Sequence, residues 1–192
     1  MNDLDISDRP MHYADIEKKS KEIGFTMPSD LYIGVLLKSL IASKPNSRFL
    51  ELGTGIGLSL SWMVAGMNEG SELFTIDNDS KLSEIAKNYF GQDARVKIIC
   101  EDGSEWIKNY RGKKFDLVFA DAWPGKYSEL DELLNLINVG GFYVVDDLNQ
   151  QPNWPEGHFE NVNRLVNYLE ERQDLVVTKM NWSTGLIIAV KK

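Results

Sequence analysis

One cysteine, Cys100, stands in 192 residues, so no internal disulfide can form. That scarcity fits a reducing compartment. Basic residues are also in deficit, with 21 Lys and Arg against 29 Asp and Glu and a net charge of -8. A protein that grips nucleic-acid phosphates carries a basic footprint, so DNA and RNA are excluded as expected partners. No apolar run approaches the ~20 residues of a membrane span. Met1 to Pro10 is polar and acidic, with no basic segment leading into an apolar stretch, so no secretory signal is expected. Together these absences predict a cytoplasmic protein without a membrane partner. There is no internal repeat and no low-complexity segment. The 43% hydrophobic and 26% charged fractions exclude a disordered, collagen-like or coiled-coil chain.

What is there suits one domain over 1–192, with a helical extension over 1–45 and a core over 46–192. The first ten residues read as a loose tail. A weak helical pattern covers 11–23. After Met27-Pro28-Ser29-Asp30, apolar positions from Leu31 to Ile41 crowd one broad helical face, which Pro45 ends. Short apolar runs then alternate with amphipathic stretches. The runs are 49–52, 73–76, 96–99, 115–120 and 142–145, and helices are predicted near 57–68, 80–90, 103–110, 127–138 and 158–172. Such alternation argues for an α/β fold: a Rossmann-like doubly wound parallel sheet with helices on both faces. The runs 175–180 and 186–190 are separated only by a short turn carrying Ser183, Thr184 and Gly185. Strands that close in sequence cannot both be parallel. The prediction is seven strands, six parallel and the last antiparallel.

The strongest local signal is Glu51-Leu52-Gly53-Thr54-Gly55-Ile56-Gly57-Leu58-Ser59, after the first strand and at the mouth of a helix. Its glycines allow a tight turn and a close backbone approach. The helix N-terminus adds unpaired N–H groups that suit a phosphate or a carboxylate. The spacing is G-x-G-x-G; the dinucleotide fingerprint needs its third glycine where Leu58 stands. Asp77, at the end of the second strand, can accept from ribose hydroxyls, which fits NAD or S-adenosylmethionine equally. Asp102, at the end of the third strand, is either an N-cap or an acceptor for an exocyclic amino group.

Asp121 ends the fourth strand and Asp146-Asp147 the fifth. Carboxyl ends of neighbouring parallel strands lie close, so these three acids can converge as a hard-oxygen site for Mg²⁺, Ca²⁺ or Mn²⁺, or else cap loops separately. Asp116 reads as a strand-start residue. His158 suits a general base. Trp123 and Trp154 either line an apolar pocket or pack. Cys100 has no visible base partner and is expected to be buried at its strand end. Glu170-Glu171-Arg172 reads as a solvated face.

In this order, these motifs resemble the class I S-adenosylmethionine-dependent methyltransferases, and more narrowly the cation-dependent O-methyltransferases of the catechol and caffeoyl-CoA type. The resemblance runs from about Leu31 to the C-terminus. It implies S-adenosylmethionine as cofactor, a divalent cation (Mg²⁺ first) and methyl transfer to a small-molecule acceptor, in a homodimer formed through the N-terminal helices. On this resemblance Glu51, Gly53, Thr54, Gly55, Gly57 and Ser59 hold the methionine part of the cofactor, with Ser59 near its carboxylate. Asp77 takes the ribose hydroxyls, Asp102 the adenine amino group, and Asp121 adjoins both cofactor and cation. Asp121, Asp146 and Asp147 fall on the metal-ligand positions. His12 lies in a segment that in this family folds over the substrate.

Two departures stand out. Asp147 replaces the family's usual Asn, and Pro124 stands where catechol-type members carry a lysine base. Lys126, two residues on, and His158 are the remaining candidates for that role. The sequence therefore leaves open a metal-independent methyltransferase acting on a hydroxyl, amine or carboxylate, and a non-catalytic cofactor-binding protein. An NAD-dependent dehydrogenase is disfavoured by the glycine spacing and the final strand pair.

Overall fold

The structure is a computed structural model that describes residues 5–151 and 154–192. The start of the expected N-terminal tail, 1–4, and Asn153 of the segment before His158 lie outside the described residues. The chain divides into two compact units, Met1–Glu101 and Asp102–Lys192.

The first unit contains α1 (Tyr13–Ile23), α2 (Leu31–Ala42), β1 (Arg48–Leu52), α3 (Leu58–Gly66), β2 (Glu72–Asp77), α4 (Ser80–Phe90) and β3 (Val96–Cys100). Its strands lie in the order β3-β2-β1, all parallel, with Leu52 opposite Ile76 and Asp77 opposite Cys100. Local chemistry sets the helix starts. Asp30 caps α2 by accepting from the Ile33 amide at 2.9 Å, and Asp79 caps α4 by accepting from the Lys81 and Leu82 amides. In α2 the buried residues Ile33, Leu37 and Ile41 recur every four positions, the spacing of one helical face. That face meets α3 closely: a Cβ at Gly34 would stand 2.4 Å from the Trp62 indole, so only glycine fits there. The predicted helix over 57–68 ends two residues early, because Met67 is already extended.

The second unit contains α5 (Gly103–Asn109), β4 (Phe115–Ala120), α6 (Leu130–Asn135), β5 (Ile137–Val145), α7 (His158–Glu171), β6 (Leu175–Met180) and β7 (Leu186–Lys191). Its strands lie in the order β4-β5-β7-β6. β4 and β5 are parallel, while β7 runs antiparallel to both β5 and β6. The hairpin thus inserts its second strand beside β5, and the last strand is the reversed one.

One predicted element is corrected. The helix expected over 127–138 is only Leu130–Asn135, and β5 begins at Ile137. A turn occupies 123–128, where the Lys126, Tyr127 and Ser128 amides all donate to the Trp123 carbonyl. At the other end the register of β5 on β4 shifts between Phe115 and Leu117, and the Asn138 side chain donates to Asp116 at 2.9 Å. The irregularity hides the strand from a periodicity argument.

Glu170 and Glu171 are exposed, as expected of a solvated face, while Arg172 is half-buried and paired. The Arg172 guanidinium bonds both Asp174 carboxylate oxygens at 2.8 and 2.7 Å, and Lys191 donates to the same carboxylate at 2.6 Å. No helix among the described residues is long and apolar enough to cross a membrane.

Candidate active site

In the first unit the loop between β1 and α3 wraps around a buried acid. Glu51 is wholly buried; its Oε1 accepts from the Ser59 hydroxyl at 2.6 Å and its Oε2 from the Thr75 hydroxyl at 2.5 Å. Thr54 and Thr75 share a further hydroxyl–hydroxyl bond at 2.5 Å. Burial pushes the Glu51 carboxyl up to about 7, against the lowering effect of the two hydroxyls. The side chains of Glu51, Thr54 and Ser59 therefore brace the loop from beneath, and the Ser59 hydroxyl is committed to Glu51. Thr75 was missed in the sequence; its only signal is a polar residue inside an apolar strand.

Above this network the backbone turns through left-handed conformations, with φ of 99° at Gly53, 51° at Gly55 and 97° at Gly57. The Gly53 amide donates to the Ile76 carbonyl at 2.9 Å, and the Gly55 amide to Asp77 Oδ2 at 2.8 Å. Asp77 Oδ1 accepts from the Asp79 amide at 2.8 Å. Each Asp77 oxygen keeps a second lone pair for a hydroxyl donor. A Cβ at Gly57 would come within 3.2 Å of the Phe90 ring, so the loop packs tightly on α4.

His12 packs against Tyr89 and Phe90 with ring centroids 5.8 and 5.7 Å away, so its ring belongs to the packing of α1 on α4. Cys100 is exposed, against expectation. It is the last residue of β3, the outer strand of the β3-β2-β1 order.

In the second unit, Asp102 caps α5 by accepting from the Glu105 amide at 3.0 Å, the capping role foreseen for it. The main feature is the set formed by Asp121, Asp146 and Asp147, whose carboxylate oxygens all lie within 4.8 Å of one another. The expected convergence at the strand ends is met. Asp146 is 3% exposed and its Oδ1 has no hydrogen-bond partner. Burial is the main cause that pushes its carboxyl well above the carboxylate range; the Asp121 charge adds to this, Lys126 opposes it and Asp147 adds again. A buried acceptor without a donor, beside two further carboxylates, has the oxygen chemistry that could hold a hard cation.

Asp147 adopts a left-handed φ of 52°, and the turn between β6 and β7 holds it there. The Asp147 amide donates to Thr184 Oγ1 at 3.3 Å, and the next two amides donate to the Gly185 and Thr184 carbonyls. That pinning role had no signal in the sequence.

Lys126 is buried at 6% exposure despite its charge. The turn that carries it is hooked to β5 through the Tyr143 hydroxyl, which donates to the Gly125 carbonyl at 2.8 Å. Its Nζ lies 5.6 Å from the centre of the Tyr127 ring. The Tyr127 phenol is pushed up to about 12, by burial first and then by Asp147 and Asp146. The Tyr127 hydroxyl stands 3.4 Å from His158 Nε2. Trp154 packs on His158 at 4.5 Å, and Trp123, 52% exposed, packs on Tyr127 at 4.9 Å. His158 is thus joined to an aromatic group whose Tyr127 feels the acidic set. Tyr127 was another residue the sequence reading missed.

A methyltransferase-domain family model matches residues 50–148, just over half the chain. The chain belongs to the methyltransferase-domain family. Curated relatives include a "Putative O-methyltransferase" of Mycolicibacterium vanbaalenii, 32% identical over 118 residues, which are 59% of this chain and 52% of the relative. A Mycobacterium leprae protein of similar name is 30% identical over 137 residues, 69% of this chain and 61% of its own length. The chain thus spans little more than half the length of the curated relatives it matches. Among solved structures, the Bacillus cereus O-methyltransferase in complex with SAH superposes with a TM-score of 0.84 at 18% identity, over 98% of this chain and 94% of that one. The O-methyltransferase TomG of Streptomyces achromogenes, involved in tomaymycin synthesis and solved with SAM, gives 0.82 at 22% identity, over 95% and 90%. The Rossmann-like methyltransferase fold is therefore shown for the chain, with six parallel strands and an antiparallel last one.

Proposed function

We propose that this methyltransferase domain transfers a methyl group from S-adenosylmethionine to an oxygen of a small-molecule acceptor, with a divalent cation, Mg²⁺ first, held by Asp121, Asp146 and Asp147. The observation that carries the reading is the orphaned, buried Asp146 Oδ1 within 4.8 Å of two further carboxylates. Relatives and structural neighbours named as O-methyltransferases support it. The cofactor supplies an activated methyl group when bound, and the cation supplies a Lewis acid that lowers the pKa of a ligated hydroxyl.

The chain's own residues do the rest. The Gly53, Thr54, Gly55 and Gly57 backbone offers close approach at a helix N-terminus, with Glu51 and Ser59 bracing it from below. Asp77 has lone pairs left for the ribose hydroxyls, and Asp102 for the adenine amino group while it caps α5. For the proton lost by the acceptor, His158 is the favoured base, because its Nε2 is held on the Tyr127 hydroxyl. Lys126 is the alternative, and its positive charge acts on Asp146. Trp123 and Trp154 offer apolar surface to the acceptor beside that pair.

The same reading takes 1–192 as one domain, with an extension over 1–45 and a core over 46–192, in a cytoplasmic homodimer associating through the N-terminal helices. Limited proteolysis, cell fractionation and sedimentation equilibrium test these three points.

Incubation with labelled S-adenosylmethionine and a panel of catechols and other chelating oxygen compounds, with and without EDTA, tests the activity. Transfer that EDTA abolishes and Mg²⁺ restores is the expected result. EDTA-insensitive transfer supports a second reading, favoured by the built-in positive charge of Lys126: metal-independent transfer to a hydroxyl, amine or carboxylate. Binding of S-adenosylhomocysteine with no transfer to any acceptor marks a cofactor-binding protein without turnover.

A further inference from the structure

Glu129 adopts a left-handed φ of 49° although it carries a Cβ. Such a backbone is strained and persists only where its surroundings hold it. Here its own side chain provides the hold. The Ser104 hydroxyl donates to Glu129 Oε2 at 2.6 Å, and Lys108 Nζ lies 3.3 Å from Oε1, with Glu105 a second acid at 3.7 Å from the same ammonium. Both partners stand on α5, which Asp102 caps and whose Trp106 and Ile107 are buried. The Glu129 carboxylate, 14% exposed, is therefore fastened to an anchored helix.

Glu129 also directly follows the turn over 123–128. That turn is closed on itself: the Lys126, Tyr127 and Ser128 amides donate to the Trp123 carbonyl, and the Gly125 amide donates to the Ser128 carbonyl at 2.7 Å. Pro124 rests on α5 as well, since a Cβ at Gly103 would stand 3.1 Å from its ring. At Glu129 the turn ends and α6 begins, with the Leu133 amide donating to the Glu129 carbonyl at 3.0 Å. The turn carries Tyr127, whose hydroxyl stands 3.4 Å from His158 Nε2.

We propose that Glu129 is a positioning residue: held by Ser104 and Lys108, it fixes the turn over 123–128 against α5 and thereby keeps Tyr127 on His158. This inference rests on His158 as the base of the proposed function. A released turn keeps its internal bonds but swings about residue 129, and the imidazole loses a fixed partner. A shift of about 1 Å at reacting groups can cost about 100-fold in rate.

The test compares wild type with Glu129→Gly, Glu129→Ala, Glu129→Gln and Ser104→Ala. Gly relieves the strain and loses the bonds, whereas Ala keeps the strain and loses the bonds. Gln keeps an oxygen that accepts from Ser104. Ser104→Ala removes the partner and leaves residue 129 as it is. Each protein is melted, assayed with labelled S-adenosylmethionine and recorded by proton NMR of its imidazoles. The chain has two histidines, and His12, packed on Tyr89 and Phe90, serves as the internal reference. Glu129→Gly should melt within about 4 °C of wild type, and Glu129→Ala below it. Even so, kcat should fall in both by about 10- to 100-fold, with a smaller change in KM. Their His158 signal should shift or broaden while that of His12 stays. Glu129→Gln should remain within about threefold of wild type, because the exposed ion pair it loses contributes little. Ser104→Ala should move the His158 signal as Glu129→Ala does.

If kcat instead follows the melting order, with Glu129→Gly as active as wild type, Glu129 only stabilises the fold and the proposal is overturned. An unmoved His158 signal in Glu129→Ala and Ser104→Ala also overturns it, as does a Glu129→Gln variant no better than Glu129→Ala. Should Glu129→Gly fail to fold, Ser104→Ala decides, since it leaves the backbone at 129 unchanged. If wild type transfers a methyl group to no acceptor, the proposed function falls, and the His158 signal alone then upholds or overturns the positioning role.

Discussion

The Ser59 hydroxyl donates to Glu51 Oε1 at 2.6 Å, so the helix after the glycine loop is fastened to the strand before it through a buried carboxyl. Folding moves Glu51 from water into this site, and burial pushes its carboxyl up to about 7. Above the ordinary carboxyl range and up to about 7, the folded chain keeps a proton that the unfolded chain has lost. Stability contributed by this group therefore falls as pH rises through that window, by roughly 3 kcal/mol in full. Glu51→Gln should flatten this slope. Urea unfolding of both proteins at pH 5, 6, 7 and 8 measures it, and a wild-type minus variant difference that does not change with pH sinks the idea.

Asp146 should trade stability for function. Its carboxyl is buried, pushed up and short of one donor. Asp146→Asn removes the buried charge, so the cation-free variant should melt higher than wild type at pH 8. The same change should weaken Mg²⁺ binding by at least about 100-fold, since even indirect partners of a metal site cost up to that much. Melting curves with EDTA and calorimetry with Mg²⁺ read the two effects. A variant that melts lower without cation and binds Mg²⁺ as wild type does contradicts both halves.

Much of this architecture was legible in the sequence because it rests on local or periodic signals. Asp79 caps α4 and the helix runs Ser80–Phe90, the limits that its apolar spacing predicts. The convergence of Asp121, Asp146 and Asp147 follows from parallel strands ending side by side, which spacing alone can foresee. Other features depend on distant partners. Lys126 is buried in a turn whose Gly125 carbonyl accepts from Tyr143, and Tyr127 meets His158 across 31 positions. Nothing in the Pro124-Gly125-Lys126-Tyr127 run announces either contact. The start of β5 was hidden for a different reason: its register shifts on β4, and Gly140 adopts a left-handed φ of 78° that breaks the alternation. Cys100 looked like a buried strand end because an apolar run does not reveal which strand lies outermost.

Asp174 should make the second unit acid-sensitive. Arg172 and Lys191 hold its carboxyl below the usual carboxylate range, Arg172 contributing most. The pair with Arg172 is bidentate, and Lys191 joins the end of β7 to the same carboxylate. A lowered folded pKa means that the stabilisation is present above the ordinary carboxyl range and lost as pH falls through it and below. The side chain is 39% exposed, so solvent screening limits its worth to about 1 kcal/mol. Asp174→Asn should melt lower than wild type at pH 7 and approach it by pH 3. A deficit that persists undiminished at pH 3 refutes the electrostatic account.

The Tyr127 hydroxyl stands 3.4 Å from His158 Nε2, and Trp154 covers the imidazole at 4.5 Å. If His158 takes the acceptor's proton, Tyr127 fixes the nitrogen that receives it. His158→Asn keeps a polar group of similar reach but supplies no base, so kcat should fall by about 10²- to 10⁴-fold. Tyr127→Phe keeps the ring against Trp123 and removes only the hydroxyl. Its effect should be smaller and should appear in kcat more than in KM, because the packing that shapes the acceptor surface is retained. S-adenosylhomocysteine affinity should stay within about twofold of wild type in both variants, since neither residue is assigned to the cofactor. If His158→Asn changes KM alone, the imidazole is part of the acceptor surface, and the proton leaves by way of Lys126 or solvent.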